Sequence, residues 1–110
     1  GDANILPYVA SKHAALGIVR SAAIDLGKFG IRVNGIGPGP IATDALLSRI
    51  QTRGGTTHLT VDGALEILGK QTALGRLATT EDVAHVALFL CSDLSRGVTG
   101  QLINVDAGLF

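Results

Sequence analysis

The stretch that decides the fold is Gly-Ile-Arg-Val-Asn-Gly-Ile at residues 30–36, followed by Gly-Pro-Gly-Pro at residues 37–40. The short apolar run, bounded by glycines, predicts a strand over residues 31–36 that needs neighbours on both of its faces. The Gly-Pro pairs continue neither a helix nor a strand, so they predict that the strand ends before them.

A long helix is predicted on the N-terminal side of this strand, over residues 8–29. Apolar residues recur along it at helical spacing on two faces. These residues are Leu16, Val19, Ala23 and Leu26 on one face, and Ala15, Ile18 and Ala22 on the other. Two apolar faces predict burial on two sides, and Gly30 predicts the end of the helix.

Further helices and one strand are predicted on the C-terminal side. Thr43 followed by Asp44 has the pattern of a helix start and leads into residues 45–53, and a short helix is expected at residues 61–70. Thr79, with two acidic residues behind it, predicts another helix start. The apolar stripe of that helix is Val83, Val86, Ala87 and Leu90. A polar loop over residues 92–100 then leads to a strand at residues 101–105, ending in a turn that Asp106 braces.

Helices and strands that alternate in this way indicate a parallel sheet with crossover helices, an α/β fold. The sequence supplies only two strands in 110 residues. Because each strand–helix–strand unit takes about 30 residues or more, a complete doubly wound sheet needs a longer chain. The pattern therefore predicts half of an α/β fold, and these residues are not expected to fold stably or to bind a cofactor tightly by themselves.

The composition limits the possible partners. The chain is 46% hydrophobic with a formal net charge of +0 and no basic run, so neither nucleic acid nor a membrane is an expected partner. No apolar stretch reaches the ~18 residues of a membrane span. The single cysteine, Cys91, is expected in the core at a helix end, and it favours a reducing, cytoplasmic setting. His13, His58 and His85 lack metal-ligand spacing, so no metal is expected.

Tyr8 and Lys12 carry the strongest chemical signal. They are four residues apart on the predicted helix, so their side chains share one face. A free phenol, with a pKa of about 10, is too weakly acidic to act as a base near neutral pH. A neighbouring ammonium favours the phenolate, which can then exchange a proton with an alcohol or a carbonyl. On spacing alone, a chance pair on a solvated helix face is the more frequent explanation.

The surrounding motifs change that balance. Tyr-Val-Ala-Ser-Lys at residues 8–12 resembles the Tyr-x-Ala-Ser-Lys signature of short-chain dehydrogenase/reductases. Residues 30–43, 75–93 and 98–108 are also similar to that family, in the same order along the chain. The resemblance implies the C-terminal half of a Rossmann fold, the doubly wound parallel sheet, with the N-terminal half absent from these 110 residues and required for activity.

The same resemblance implies site residues. Tyr8 would be the catalytic acid/base, and Lys12 would assist it and hydrogen-bond the nicotinamide ribose. A segment containing Pro38, Gly39, Ile41 and Thr43 would contact the nicotinamide end of NAD or NADP. Gly39 permits close backbone approach, and Thr43 stands where a helix N-terminus could meet phosphate. On sequence alone a plain turn with a helix cap explains the segment equally well, but beside Tyr8 and Lys12 the cofactor role is favoured.

The expected function is hydride transfer between NAD(P) and a secondary alcohol, a ketone or a related carbonyl. Residues 44–72 would form a substrate lid that is more mobile than the long helix, and the enzyme would be a homodimer or homotetramer. Two alternatives stay open. One is a truncated, inactive relative that serves as an assembly or regulatory partner. The other is an epimerase of the extended branch, which also uses Tyr-x-x-x-Lys.

Overall fold

The computed structural model describes residues 5–53 and 60–109. The elements, in chain order, are helix α1 (Ile5–Gly27), strand β1 (Gly35–Pro38), helices α2 (Asp44–Arg53), α3 (Val61–Lys70) and α4 (Thr80–Cys91), a single 3₁₀ turn (Asp93–Ser95) and strand β2 (Leu102–Val105). The predicted order of elements is therefore confirmed in the described residues, and the Gly-Gly break after α2 lies outside them.

The two strands pair directly and run parallel. The amide of Gly35 donates to the carbonyl of Gln101 (2.8 Å), and the amide of Gly39 donates to the carbonyl of Val105 (3.0 Å). Because the donor and the acceptor both advance by four residues between these bonds, the strands have the same direction. The predicted parallel pairing is confirmed.

The position of β1 differs from the prediction. The strand begins at Gly35 and includes Pro38, whereas residues 31–36 were expected. Val33 and Asn34 hydrogen-bond instead to the loop before β2: the Val33 carbonyl accepts from the amide of Gly100 (2.7 Å), and the Val33 amide donates to Thr99 Oγ1 (3.0 Å). Pro38 removes no hydrogen bond to β2, because the amides of Gly35 and Gly39 face β2 and residue 38 faces the other way.

One face of β1 carries glycine at every second residue. A Cβ atom added at Gly35, Gly37 or Gly39 would come within 2.9 Å of Leu102 Cδ1, 2.6 Å of Asn104 Oδ1 and 2.5 Å of Asp106 Cβ, respectively. The side chains of β2 and the residue after it therefore occupy the space above β1. The alternate glycines leave room for these β2 side chains, which β-branched residues on β1 would not.

The described residues form two compact units. The first combines residues 5–36 with 87–103, and the second combines residues 37–53 and 60–86 with 104–109. In the first unit, Arg32 donates to the carbonyls of Leu90 (2.9 Å), Ser92 (3.3 Å) and Val98 (3.2 Å). The positive charge of Arg32 at these carbonyls stabilises the C-terminal end of α4, where the helix dipole is negative.

Helix α1 departs from its prediction at both ends and in its burial. It begins at Ile5 and ends at Gly27, and residues 28–30 form a turn in which Gly30 has φ 73°. Of its side chains only Ala23 is buried, while Ile18 and Ile24 are largely exposed. Burial on two sides is therefore wrong for the described part of this chain, since only the face of Val19 and Ala23 is covered.

Cys91 also differs from its predicted burial. It ends α4, as expected, but its side chain is exposed rather than part of the core. Helix α4 turns Val83, Val86, Ala87 and Leu90 to its less exposed side, which confirms the predicted stripe. Cys91 follows Leu90 by one residue and therefore lies about 100° further around the helix, on the open side.

Candidate active site

Tyr8 and Lys12 lie together on the N-terminal half of α1. Lys12 Nζ is 5.5 Å from the centroid of the Tyr8 ring. The helix places residues four apart one above the other, so this contact follows from local structure alone. The Tyr8 side chain is exposed, and neither its hydroxyl nor the Lys12 ammonium hydrogen-bonds any of the described residues. Both groups therefore keep their full capacity to bind a ligand.

The Tyr8–Lys12 face continues the packed face of α1. Further along the same stripe stand Leu16, Val19, Ala23 and Leu26, which are half-buried or buried. Residues 5–15 are exposed, whereas the covered positions all come later. The helix is thus anchored through its C-terminal half and extends its N-terminal half, with the Tyr8 and Lys12 side chains, beyond the packed region of the first unit.

The polar neighbours of this pair bond to their own helix. Ser11 Oγ donates to the carbonyl of Tyr8 (2.8 Å), and His13 Nδ1 lies 2.9 Å from the carbonyl of Val9. Because a carbonyl can only accept, His13 Nδ1 carries the proton in this contact. These contacts give Ser11 a structural role within α1, and His13 lies on the exposed surface of the helix.

The segment from Pro38 to Thr43 belongs to the second unit. Thr43 caps α2: its Oγ1 accepts from the amide of Leu46 (3.4 Å), and its carbonyl accepts from the amide of Leu47 (2.9 Å). The amide of Thr43 donates to the carbonyl of Ile41 (2.6 Å). The Thr43 amide is therefore already engaged, and its hydroxyl proton is the donor that it retains.

The structure requires glycine at position 39 for a reason that was not predicted from the sequence. Its missing Cβ makes room for the Cα and Cβ of Asp106, which would lie 2.8 and 2.5 Å from a Cβ at that position. Asp106 in turn accepts from the amide of Gly108 through Oδ1 (2.9 Å), which confirms its bracing role. The regular spacing of Gly35, Gly37 and Gly39 was the signal in the sequence that could have predicted this approach.

Comparison with known proteins identifies the family. A family profile described as enoyl-(acyl carrier protein) reductase matches residues 2–110. The 7alpha-hydroxysteroid dehydrogenase of Escherichia coli is 43% identical over 105 residues, which are 96% of this chain and 37% of the relative. A solved short chain dehydrogenase family protein from Francisella tularensis is 36% identical with a TM-score of 0.84, covering 91% of this chain and 41% of the other. The chain belongs to the short-chain dehydrogenase/reductase family.

The enoyl reductases of this family are also represented. The enoyl-[acyl-carrier-protein] reductase [NADH] of Haemophilus influenzae is 47% identical over 89 residues, which are 81% of this chain and 30% of the relative. The relatives thus include oxidoreductases named for a hydroxysteroid and for an enoyl-[acyl-carrier-protein]. The expectation of an oxidoreductase with a Rossmann-like α/β fold is confirmed at this level.

The extent of the match corrects one prediction. This short-chain dehydrogenase/reductase chain spans 37% of the length of the curated relative from Escherichia coli and 30% of the enoyl reductase. The expectation that it amounts to the C-terminal half of a relative is therefore wrong, because the match extends over little more than a third.

Other kinds of site find no support in the described parts of this family member. Over residues 5–53 and 60–109, no three side chains of His, Cys, Asp or Glu come together as metal ligands. Within the same residues, no helix is long and apolar enough to cross a membrane. His58 lies outside the described residues, whereas His13 and His85 are both exposed.

Proposed function

We propose that the complete protein is an NAD(P)-dependent oxidoreductase that acts on a secondary alcohol, a ketone or a related carbonyl, with Tyr8 as its acid/base. The observation that carries the proposal is the Lys12 ammonium, 5.5 Å from the Tyr8 ring on an exposed part of α1. The ammonium and the phenol therefore lie on one exposed helix face, where both can reach the same ligand. Membership in a family of oxidoreductases supports the same reaction class.

The proposed step is a proton transfer at Tyr8 Oη. In reduction, Tyr8 Oη gives its proton to the carbonyl oxygen while the carbonyl carbon receives hydride; in oxidation, the Tyr8 phenolate takes the proton of the alcohol hydroxyl. The nicotinamide ring, when bound, supplies or accepts the hydride. Lys12 stabilises the phenolate in both directions and, with three N–H donors unused among the described residues, also hydrogen-bonds the nicotinamide ribose.

The cofactor segment is proposed to be Pro38, Gly39, Ile41 and Thr43. The Thr43 hydroxyl is the donor that this segment offers, because the Thr43 amide is bonded to Ile41. Its acceptor would be the neutral carboxamide of the nicotinamide, since the Asp44 carboxylate in the first turn of α2 disfavours an anionic pyrophosphate at that helix end. The choice between NAD and NADP stays open, and the enoyl reductase relative is named for NADH.

Substrate binding is assigned to the segment of residues 44–72. Helices α2 and α3 contact each other, and α3 turns Val61, Ala64, Leu65 and Leu68 to its less exposed side. This apolar patterning suits a hydrophobic small molecule, such as the hydroxysteroid or the acyl group for which relatives are named.

The complete protein is further proposed to be a homodimer or homotetramer. The second face of α1, which includes Ala15, Ile18 and Ala22, is uncovered or only half-covered, and small residues allow close helix approach. Sedimentation analysis at micromolar concentration tests this proposal, and a monomer would contradict it.

The activity test uses the complete protein with NAD and NADP and three probe substrates: a 7α-hydroxysteroid, a simple ketone and an enoyl thioester. Turnover is followed by the absorbance of the reduced nicotinamide. For Tyr8→Phe we expect turnover to fall about 10²–10⁴-fold while cofactor affinity is retained, because only the proton-transfer group is lost. The matched control is Phe29→Leu, which changes another exposed aromatic residue near the end of α1.

The outcomes separate the hypotheses. A Tyr8→Phe variant that keeps more than about a tenth of the turnover contradicts the acid/base assignment. Absence of turnover in the unmodified protein on all three probes, together with stable self-association, favours the assembly or regulatory alternative instead.

A further inference from the structure

The C-terminal end of α3 is held by a group of contacts around Thr72. Thr72 is 7% exposed, although it is polar. Its Oγ1 lies 2.8 Å from the carbonyl oxygens of both Gly69 and Arg76 and accepts from the amide of Arg76 (3.1 Å). The hydroxyl therefore joins the last turn of α3 to the residues four positions later in the chain.

The same turn also pairs with the residues that follow β2. The amides of Ala73 and Leu74 donate to the carbonyls of Gly108 (2.9 Å) and Ala107 (3.0 Å), and Thr72 forms an antiparallel bridge with Leu109. Asp106 holds the segment after β2 in place by accepting a hydrogen bond from the Gly108 amide. We call residues 69–76 together with residues 106–109 the Thr72 clamp.

Gly108 shows how closely the two sides of the clamp approach. Its φ is +82°, and a Cβ at that position would lie 2.6 Å from Ala73 Cβ. Ala107 beside it has φ 57°, a left-handed conformation that is unfavourable for a non-glycine residue. Such a conformation is kept only where the surrounding contacts hold it, so the clamp is a tightly determined part of the second unit.

Among the described residues, fewer contacts hold the N-terminal end of α3. Thr60 caps it by accepting from the amide of Gly63 (3.0 Å), and Thr60 is exposed. The ion pair between Glu66 and Lys70 is on the surface, where such pairs contribute little. One end of the helix thus has a buried hydroxyl and a bridge to another segment, whereas the other has an exposed cap.

We propose that the Thr72 clamp is the pivot of the substrate segment: α3 keeps its C-terminal end fixed on residues 106–109 and moves at its N-terminal end to accommodate substrate. Thr72 is then a positioning residue, which acts on substrate affinity through α3 and not on the chemical step. The kinetic part of this inference rests on the proposed function, whereas the pivot itself does not.

Hydrogen exchange of the complete protein tests the pivot. In Thr72→Val, which removes the hydroxyl and keeps the shape, amide exchange over residues 61–70 should rise about tenfold or more, while exchange over residues 80–91 stays unchanged. Thr72→Ser should restore the original rate, because it keeps the hydroxyl. Thr60→Val is the matched control at the other helix end and should affect only the first turn of α3.

A second variant reaches the clamp from its other side. Gly108→Ala forces a Cβ against Ala73 and should raise exchange over residues 61–70 as Thr72→Val does. Gly30→Ala is its control, because Gly30 also has a positive φ (+73°) but has nothing within 4 Å of an added Cβ. Exchange over residues 61–70 that is unchanged in both clamp variants, or that rises equally over residues 61–70 and 80–91, would overturn the pivot.

Kinetics then test the role in substrate binding. For whichever probe substrate is turned over, Thr72→Val should raise KM about tenfold with kcat and cofactor affinity nearly constant, the pattern expected when binding alone is weakened. Loss of cofactor affinity in parallel, or no rescue by Thr72→Ser, would contradict the positioning role. Failure of the Tyr8 assignment would leave the exchange result unaffected, so the two proposals can fail separately.

Discussion

The N-terminal parts of α1 and α4 differ in how their polar side chains are hydrogen-bonded. At the start of α4, Thr79 Oγ1 accepts from the amide of Asp82 (3.1 Å), and Asp82 Oδ2 accepts from the amide of Thr79 (2.9 Å) and from Arg76 (2.8 Å). The first turn of α1 has no acidic residue, and further along its N-terminal half the Tyr8 hydroxyl and the Lys12 ammonium hydrogen-bond none of the described residues.

The difference separates residues that hold the fold from residues free to act on a ligand. The capping box of α4 satisfies helix amides that would otherwise lack a partner, so Thr79 Oγ1 and Asp82 Oδ2 are engaged within the fold. The hydroxyl of Tyr8 and the ammonium of Lys12 contribute no hydrogen bond to the described structure. Unused hydrogen-bonding capacity on an exposed helix face is what a binding group needs, and the comparison therefore points to α1 for the chemistry.

The largest effect is expected at Lys12. Lys12→Ala in the complete protein should lower turnover about 10²-fold or more and weaken cofactor affinity about tenfold, because in the proposed mechanism one ammonium serves both Tyr8 and the ribose. Lys12→Arg should not rescue it well, since a planar fork replaces a point charge. Steady-state kinetics and cofactor titration measure both quantities.

The chain offers a matched control for that experiment. Lys28 Nζ lies 5.3 Å from the centroid of the Phe29 ring, a contact like that of Lys12 with Tyr8 but without a hydroxyl. Lys28→Ala should leave turnover and cofactor affinity unchanged. If Lys12→Ala behaves like Lys28→Ala, then Lys12 only packs on an aromatic ring and the functional contrast between α1 and α4 disappears.

At the start of α4 a smaller effect is expected, on stability and not on activity. Thr79→Ala should lower the free energy of unfolding by about 1 kcal/mol, because the amide of Asp82 loses its cap, while kcat and KM stay as they are. Thr80→Ala, at the exposed next residue, should change stability by less than about 0.5 kcal/mol. Denaturant unfolding measures the free energy of unfolding. A fall in kcat of Thr79→Ala under conditions where the variant is fully folded would contradict a purely structural role for the cap of α4.

The smallest effect concerns pH. The Arg76 guanidinium, helped by the Thr79 amide, lowers the pKa of Asp82 from 3.8 to about 2. Since the folded-state pKa is the lower one, this contribution to stability is complete above about pH 4 and is lost as the pH falls toward 2. The difference in Tm between the unmodified protein and Asp82→Asn should therefore shrink across that window. A difference that is constant from pH 5 to pH 2 would contradict the assignment.

Local sequence signals predicted the three helices that follow β1 well. The caps Thr43 and Thr79 and the predicted range 61–70 place α2, α3 and α4 within one residue of their observed bounds. Caps and helical periodicity act over a few residues, so the sequence contains all the information that they need. The pair Tyr8 and Lys12 is predictable for the same reason, because a spacing of four on a helix brings them together without help from the rest of the fold.

What the sequence by itself determined is therefore the order of the elements, the helix caps, the family motif and the Tyr8–Lys12 contact. Only the tertiary structure decided that β1 runs over Gly35–Pro38, that Gly39 makes room for Asp106, that Cys91 is exposed and that Thr72 joins α3 to the residues after β2. The physical reason is distance along the chain. These features depend on segments more than 30 residues apart, or on which side of a helix is covered, and no local pattern encodes which distant segment supplies the contact.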